Sequence, residues 1–196
     1  QRTAPLVIDH QLDVRLFPES GRLQVQDRIR QPDGRTEIQF LLHQGLNPRV
    51  SAGAAQLEPL GQRGHLEAYA LRFEPKADGS NTDTEDAWVT LAYSGKIRHD
   101  MAEIREGMGR SRSSSIGTID PEGIFLSAAT AWYPRVPDSL QRFRLDVSLP
   151  ADWLAVSQGT GPDIEPLTEV AGQDSISSSE TTSPSNGSER IRIRWQ

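Results

Sequence analysis

A chain of 196 residues with 35% hydrophobic and 24% charged side chains has the length and composition of a folded domain that buries a real core. Its formal charge of -6 argues against a sequence-independent grip on nucleic-acid phosphates, and no apolar run is long enough to cross a bilayer. The absence of cysteine removes disulfides, thiolate metal sites and a cysteine nucleophile, and leaves the compartment open between periplasm and cytoplasm.

Ile8 to Phe17 alternates, with Leu12, Val14 and Leu16 on one face, which predicts a half-buried strand. After the turn Pro18–Gly21, Arg22 to Arg30 alternates again with Leu23, Val25 and Ile29 inward. Asp27 shares that inward face and reads as a carboxylate at the sheet margin or one paired with an arginine. Pro32-Asp-Gly34 is a turn, because proline presets φ and glycine accepts positive φ. Ile38, Phe40 and Leu42 follow in phase, so the first three strands read as an antiparallel meander. Two brief strands are expected near Val50 and over Leu57 to Leu60, then longer ones over His65 to Phe73 and Trp88 to Ile97. Lys76 to Asp86 reads as a polar loop, Asp100 to Met108 as a short helix, and the serine-rich run after it as loop.

Phe143 to Leu149 is the cleanest alternation, and Trp153 to Val156 reads as a short strand after Pro150. Gly159 to Glu189 turns to glycine, serine, threonine and proline, most polar over Ser175 to Ser188, and reads as a mobile insertion before a closing strand, Ile191 to Trp195. The expected fold is all-β: an antiparallel, saddle-like sandwich of about ten strands with little helix, residues 1–196 forming one domain.

Catalytic patterns are missing. His10, His43, His65 and His99 lie on separate elements, none with a partner four residues on, so no zinc-binding helix is present. His99 to Glu103 has the spacing of a solvated segment, and the acidic Asp78 to Asp86 lacks the glycine and terminal glutamate of a calcium loop. No serine sits in a Gly-x-Ser-x-Gly elbow and no glycine-rich phosphate cradle occurs. Arg110-Ser-Arg112 reads as polar loop, and Arg190, Arg192 and Arg194 as a solvated strand face. Trp132, Tyr133 and Trp153 read as core or sheet-corner aromatics.

Several segments, in order, resemble the N-terminal β domain of zinc metallo-aminopeptidases of the aminopeptidase N and leukotriene hydrolase family. They are the opening His10-Gln-Leu-Asp-Val-Arg-Leu16, the strand end Leu91-Ala-Tyr-Ser-Gly95, the segment Ile124 to Pro134 ending in Trp132-Tyr-Pro134, and Phe143 to Leu149 with Pro150-Ala-Asp-Trp153 and Ala155 to Gln158 after it. The resemblance implies a saddle-like domain that precedes a thermolysin-like catalytic domain of a bacterial parent enzyme and walls one side of its peptide cleft. In that family the zinc ligands, the general-base glutamate and the Gly-x-Met-x-Asn strand lie downstream. The chain itself is therefore expected to carry no catalytic residue and no metal, with zinc in the catalytic domain and that domain and peptide substrates as partners. Many members have an arginine where this chain has Thr130-Ala131, and Cys-x-Asp where it has Arg135-Val-Pro137. The family's glutamine and glutamate for the substrate's amino terminus fall, counting back from Pro134, on Gly123 and Phe125. These two are the candidate substrate-binding residues, their plain alternative being a turn glycine and a core phenylalanine. The rival to the peptidase reading is an independent β-sandwich module that binds carbohydrate or protein.

Overall fold

The computed structural model describes residues 5–74, 87–98, 117–167 and 190–196. The segments 75–86, 99–116 and 168–189 lie outside it, and with them the expected Lys76–Asp86 loop, the Asp100–Met108 helix, His99 to Glu103, Arg110-Ser-Arg112 and the Ser175–Ser188 tract.

The fold is all-β, with twelve strands among the described residues and helix reduced to short 3-10 turns. The strands are β1 (Leu6–Phe17), β2 (Arg22–Arg30), β3 (Glu37–His43), β4 (Arg49–Ala52), β5 (Ala55–Arg63), β6 (Leu66–Phe73), β7 (Trp88–Lys96), β8 (Thr118–Asp120), β9 (Gly123–Phe125), β10 (Ser139–Pro150), β11 (Asp163–Leu167) and β12 (Arg190–Trp195). A seven-stranded sheet runs in the order β11-β12-β10-β1-β2-β7-β4, a three-stranded sheet in the order β3-β6-β5, and β8 pairs with β9. All pairings are antiparallel except β1 with β10, so the large sheet is mixed. A parallel pair cannot be joined by a tight hairpin, and here the chain builds eight other strands between the two.

The alternation of the first two strands fixes their pairing. Gly21 takes the left-handed conformation at φ 66° and closes the Pro18–Ser20 turn through its N–H to the Pro18 carbonyl at 3.1 Å. That turn sets Phe17 opposite Arg22 and Leu12 opposite Asp27. The expected three-strand meander does not form. The free edge of β2 is taken by β7 from Arg22 to Arg30, so β3 crosses to the other layer and pairs with β6. There Ile38, Phe40 and Leu42, with Tyr69, Leu71 and Phe73, close over Leu23, Val25, Ile29, Val89 and Leu91 in one continuous core. At about 25 cal/mol per Å² of apolar area removed from water, burial of this kind is the main stabilising term.

Three further expectations change. Trp153 to Val156 is extended but pairs with no strand: Trp153 packs on the core while Leu154 and Val156 are 86% and 98% exposed. The stretch 159–189 is not only polar insertion, since β11 falls inside it and pairs antiparallel with β12. Nor are Arg190 and Arg194 of β12 free on a solvated face. Arg190 donates to the Ser148 hydroxyl and carbonyl at 3.0 and 2.8 Å and to the Leu16 carbonyl at 3.0 Å, with its guanidinium over the Phe17 ring. Arg194 donates to Asp146 at 2.6 Å.

Gly95, the last residue of the Leu-x-Tyr-x-Gly strand end, tests the packing of this frame. A methyl group there would be driven into the Gly45 carbonyl, beside the bond from the Ser94 N–H to the Leu46 carbonyl. Gly95→Ala is expected to destabilise the chain by about 1–3 kcal/mol, read as a lower urea midpoint with an unchanged slope. An unchanged midpoint would show that the loop yields without cost.

Candidate functional site

The two candidate substrate residues sit together on the β8–β9 hairpin. Its turn is closed by Asp120, whose carboxylate accepts the Glu122 N–H at 3.1 Å. Gly123 opens β9 with empty space around the position of a side chain, and Phe125 ends it with 52% of its surface exposed. Phe125 is thus not the core phenylalanine of the plain alternative. The hairpin is held to the large sheet through Ile119 N–H to the Ile97 carbonyl at 2.8 Å and the Arg98–Asp120 ion pair. Behind it, Gly117 lies where any side chain would strike Thr130, whose hydroxyl accepts the Gly117 N–H at 3.0 Å.

From the hairpin the chain passes through a 3-10 turn at Ala128–Thr130 and then runs beside β3. The His43 N–H donates to the Ala131 carbonyl at 2.7 Å, and Leu41 and Arg135 exchange N–H···O bonds at 2.9 Å in both directions. Tyr133 stands edge-on to Trp132 at 4.9 Å between ring centroids and reaches across to His10 at 5.8 Å. The aromatic-aromatic-proline segment therefore bridges the two layers, touching β3 with its backbone and β1 with a ring.

Under that bridge lies a buried polar cluster. Asp27 is not at a sheet margin and its partner is not an arginine. It is fully buried at the middle of β2 and accepts Nδ1–H of His10 at 2.9 and 3.0 Å, both side chains being closed to solvent. The β1–β2 register makes the two diagonal neighbours, His10 facing Ile29 and Asp27 facing Leu12. Tyr93 of β7 buries its hydroxyl without a hydrogen-bond partner among the described residues. His10 Nε2 and Gln141 Oε1 are likewise without one, Gln141 standing on β10 two residues before the partner of His10. Burial opposes the imidazolium of His10, but the Asp27 carboxylate and its hydrogen bond, helped by Gln141 and Asp9, outweigh it and hold the ring's pKa above its ordinary value. Burial, then the neighbouring Asp27, pushes the Tyr93 phenol well up, and Tyr133 is raised chiefly by burial.

This arrangement ties β1 to β2. It offers no route for a substrate, since neither member of the pair reaches the surface. The sequence reading noted Asp27 but not its partner. The structure brings Gly123 and Phe125 together on the exterior, whereas the buried pair and its two tyrosines form a separate, interior centre. Among the described residues no group of three histidine, aspartate or glutamate side chains is placed to hold a metal, and His43 and His65 approach only as a pair, 6.1 Å between rings. Also among the described residues, no helix is long and apolar enough to cross a membrane. Compared with protein-family models the chain matches none, and compared with curated proteins it again matches none.

The pair makes stability depend on pH. A histidine held above its ordinary pKa stabilises the fold fully below about pH 6.5 and loses that contribution as pH rises through the folded value. The unfolding free energy is expected to fall as pH rises above about 6.5. Asp27→Asn should flatten that slope and lower stability by about 3–5 kcal/mol, because it leaves a buried partner uncompensated. Urea titrations across the range check both. An equal slope in the variant would remove His10 as its source.

Proposed function

We propose that this chain is the non-catalytic N-terminal β domain of a zinc metallo-aminopeptidase, packing on a catalytic domain and walling one side of its peptide cleft. One observation supports the reading above the others. Segments that resemble that family, far apart in sequence, meet at one place: His10 from the opening strand, Tyr93 from the Leu-x-Tyr-x-Gly strand end, and Tyr133 from the aromatic-aromatic-proline segment, all around Asp27. A shared buried centre gives those separate motifs one physical reason to occur together. In this reading the exposed Phe125 and the open surface at Gly123 stand at the cleft rim.

The zinc would belong to the catalytic domain, where it activates water and polarises the scissile carbonyl. The present chain contributes shape: it narrows the cleft so that only chain ends enter. The departures at Thr130, Ala131 and Arg135, and the absence of a carboxylate at positions 123 and 125, mean that those two positions offer a free amine no anionic anchor.

The rival is a free-standing sandwich that binds sugars or protein. Each of the four tryptophans and three tyrosines is buried or half-buried, which leaves a sugar no exposed tryptophan or tyrosine ring on which to stack. Two assays on purified chain separate the readings. The proposal expects no stoichiometric zinc, no hydrolysis of aminoacyl reporters, and no quenching of tryptophan fluorescence by mono- or oligosaccharides. Chelator-sensitive turnover, or saturable quenching by a sugar, would overturn it.

A further inference from the structure

The outer face of the large sheet is a concavity of about 950 Å³ floored by the outward positions of β1, β2, β7 and β10 and closed at one side by β4. Its charge runs against that of the chain. Arg15, Arg22, Arg28, Arg49 and Arg144 line it, against the two aspartates Asp13 and Asp146, whereas the whole chain has 21 basic and 27 acidic residues. Asp146 is already engaged by Arg194, which leaves Asp13 as the floor's one carboxylate with no such partner among the described residues. Arg28 donates to Gln11 at 3.2 Å and lies over the Trp88 ring. Arg15, Arg22, Arg49 and Arg144 make no hydrogen bond or ion pair within the described residues. Four guanidinium groups with unused donors thus look into one concave space, where low-dielectric walls concentrate the field.

We infer that this face docks an acidic polypeptide segment of a partner protein. The spacing of the arginines favours a chain over a small anion. Arg28 and Arg144 flank Gln11 on opposite sides, and Arg49 stands across Ala92 and Gln26, so the cations form a ring and do not converge on one point. From Arg144 on β10 to Arg49 on β4 there are four strand intervals of about 4.8 Å, roughly 19 Å in all, which an extended peptide of about six residues spans. Between the arginines, Gln11, Gln24 and Gln26 offer both donors and acceptors to peptide groups. A polynucleotide suits the face less well: its continuous charge would meet Asp13 in the floor and a net charge of -6 beyond it. The inference goes beyond the peptidase reading and stands on the charge and shape of this face alone.

The test is fluorescence anisotropy with a labelled peptide of alternating glutamate and serine, about ten residues long, titrated with the purified 196-residue chain. The expected result is saturable binding that weakens as ionic strength rises from about 0.05 to 0.5 M. The double variant Arg15→Gln, Arg144→Gln should lose at least tenfold in affinity, while Arg63→Gln, on the edge strand β5 of the other sheet, should lose nothing. Both substitutions replace exposed side chains, and circular dichroism checks that the fold is kept. No saturable binding, equal binding of the glutamine-for-glutamate peptide, an undiminished affinity in the double variant, or displacement of the peptide by inorganic phosphate or oligothymidylate at lower concentration would each overturn the inference.

Discussion

His10 and Asp27 meet on the inner face of the large sheet, where water reaches neither side chain. An aspartate at that depth is tolerable only with a hydrogen-bonded, charge-matched partner, so the register between β1 and β2 is bound to the chemistry of the pair. A one-residue slip would turn His10 outward and leave Asp27 alone among Leu12, Val25 and Ile29. The same spot receives Tyr93 from β7 and Tyr133 from the segment that runs beside β3. Layers that apolar packing would hold in several arrangements are thereby held in one. The position of the β8–β9 hairpin, and of Phe125 at its end, follows from where that segment is pinned.

The two faces of the large sheet consequently do different work. The inner face holds the polar cluster and is otherwise apolar, chiefly Ile, Leu and Val with Trp195 and Phe143. The outer face is mostly polar over its concave part, where five arginines face two aspartates. Exposed apolar side chains stand at Val7 and Leu140, paired at one end of that sheet, at Phe125 on the hairpin, and at Leu154 and Val156 on the unpaired segment after β10.

Much of the architecture was legible because it depends on period-two burial. Alternation gives the inward sets Leu12-Val14-Leu16, Val89-Leu91-Tyr93 and Phe143-Leu145-Val147-Leu149, all buried except the half-buried Phe143. Pairing was harder, since alternation tells which face a residue takes but not which strand lies beside it. That is why β3 was placed in a meander, and why β11 was missed: its Asp163 to Leu167 contains a proline and sits on an edge with almost every side chain exposed. Trp153 to Val156 has the alternation of a strand without a neighbour to bond. The buried pair had a usable signal. The turn at Pro18–Gly21 implies the register that makes His10 and Asp27 diagonal neighbours, both inward, but each was weighed on its own strand. Gly123 and Phe125 rest on a resemblance, and the geometry that decides their exposure, a separate β8–β9 hairpin bonded to the residue after β7, lies beyond any local pattern.

The most direct measurement of the central claim is the sequence of the native reading frame beyond the codon for Gln196. The account predicts a Gly-x-Met-x-Asn-like strand followed by a helix bearing His-Glu-x-x-His and a later glutamate ligand. A stop codon at that point, or an unrelated domain, would contradict it.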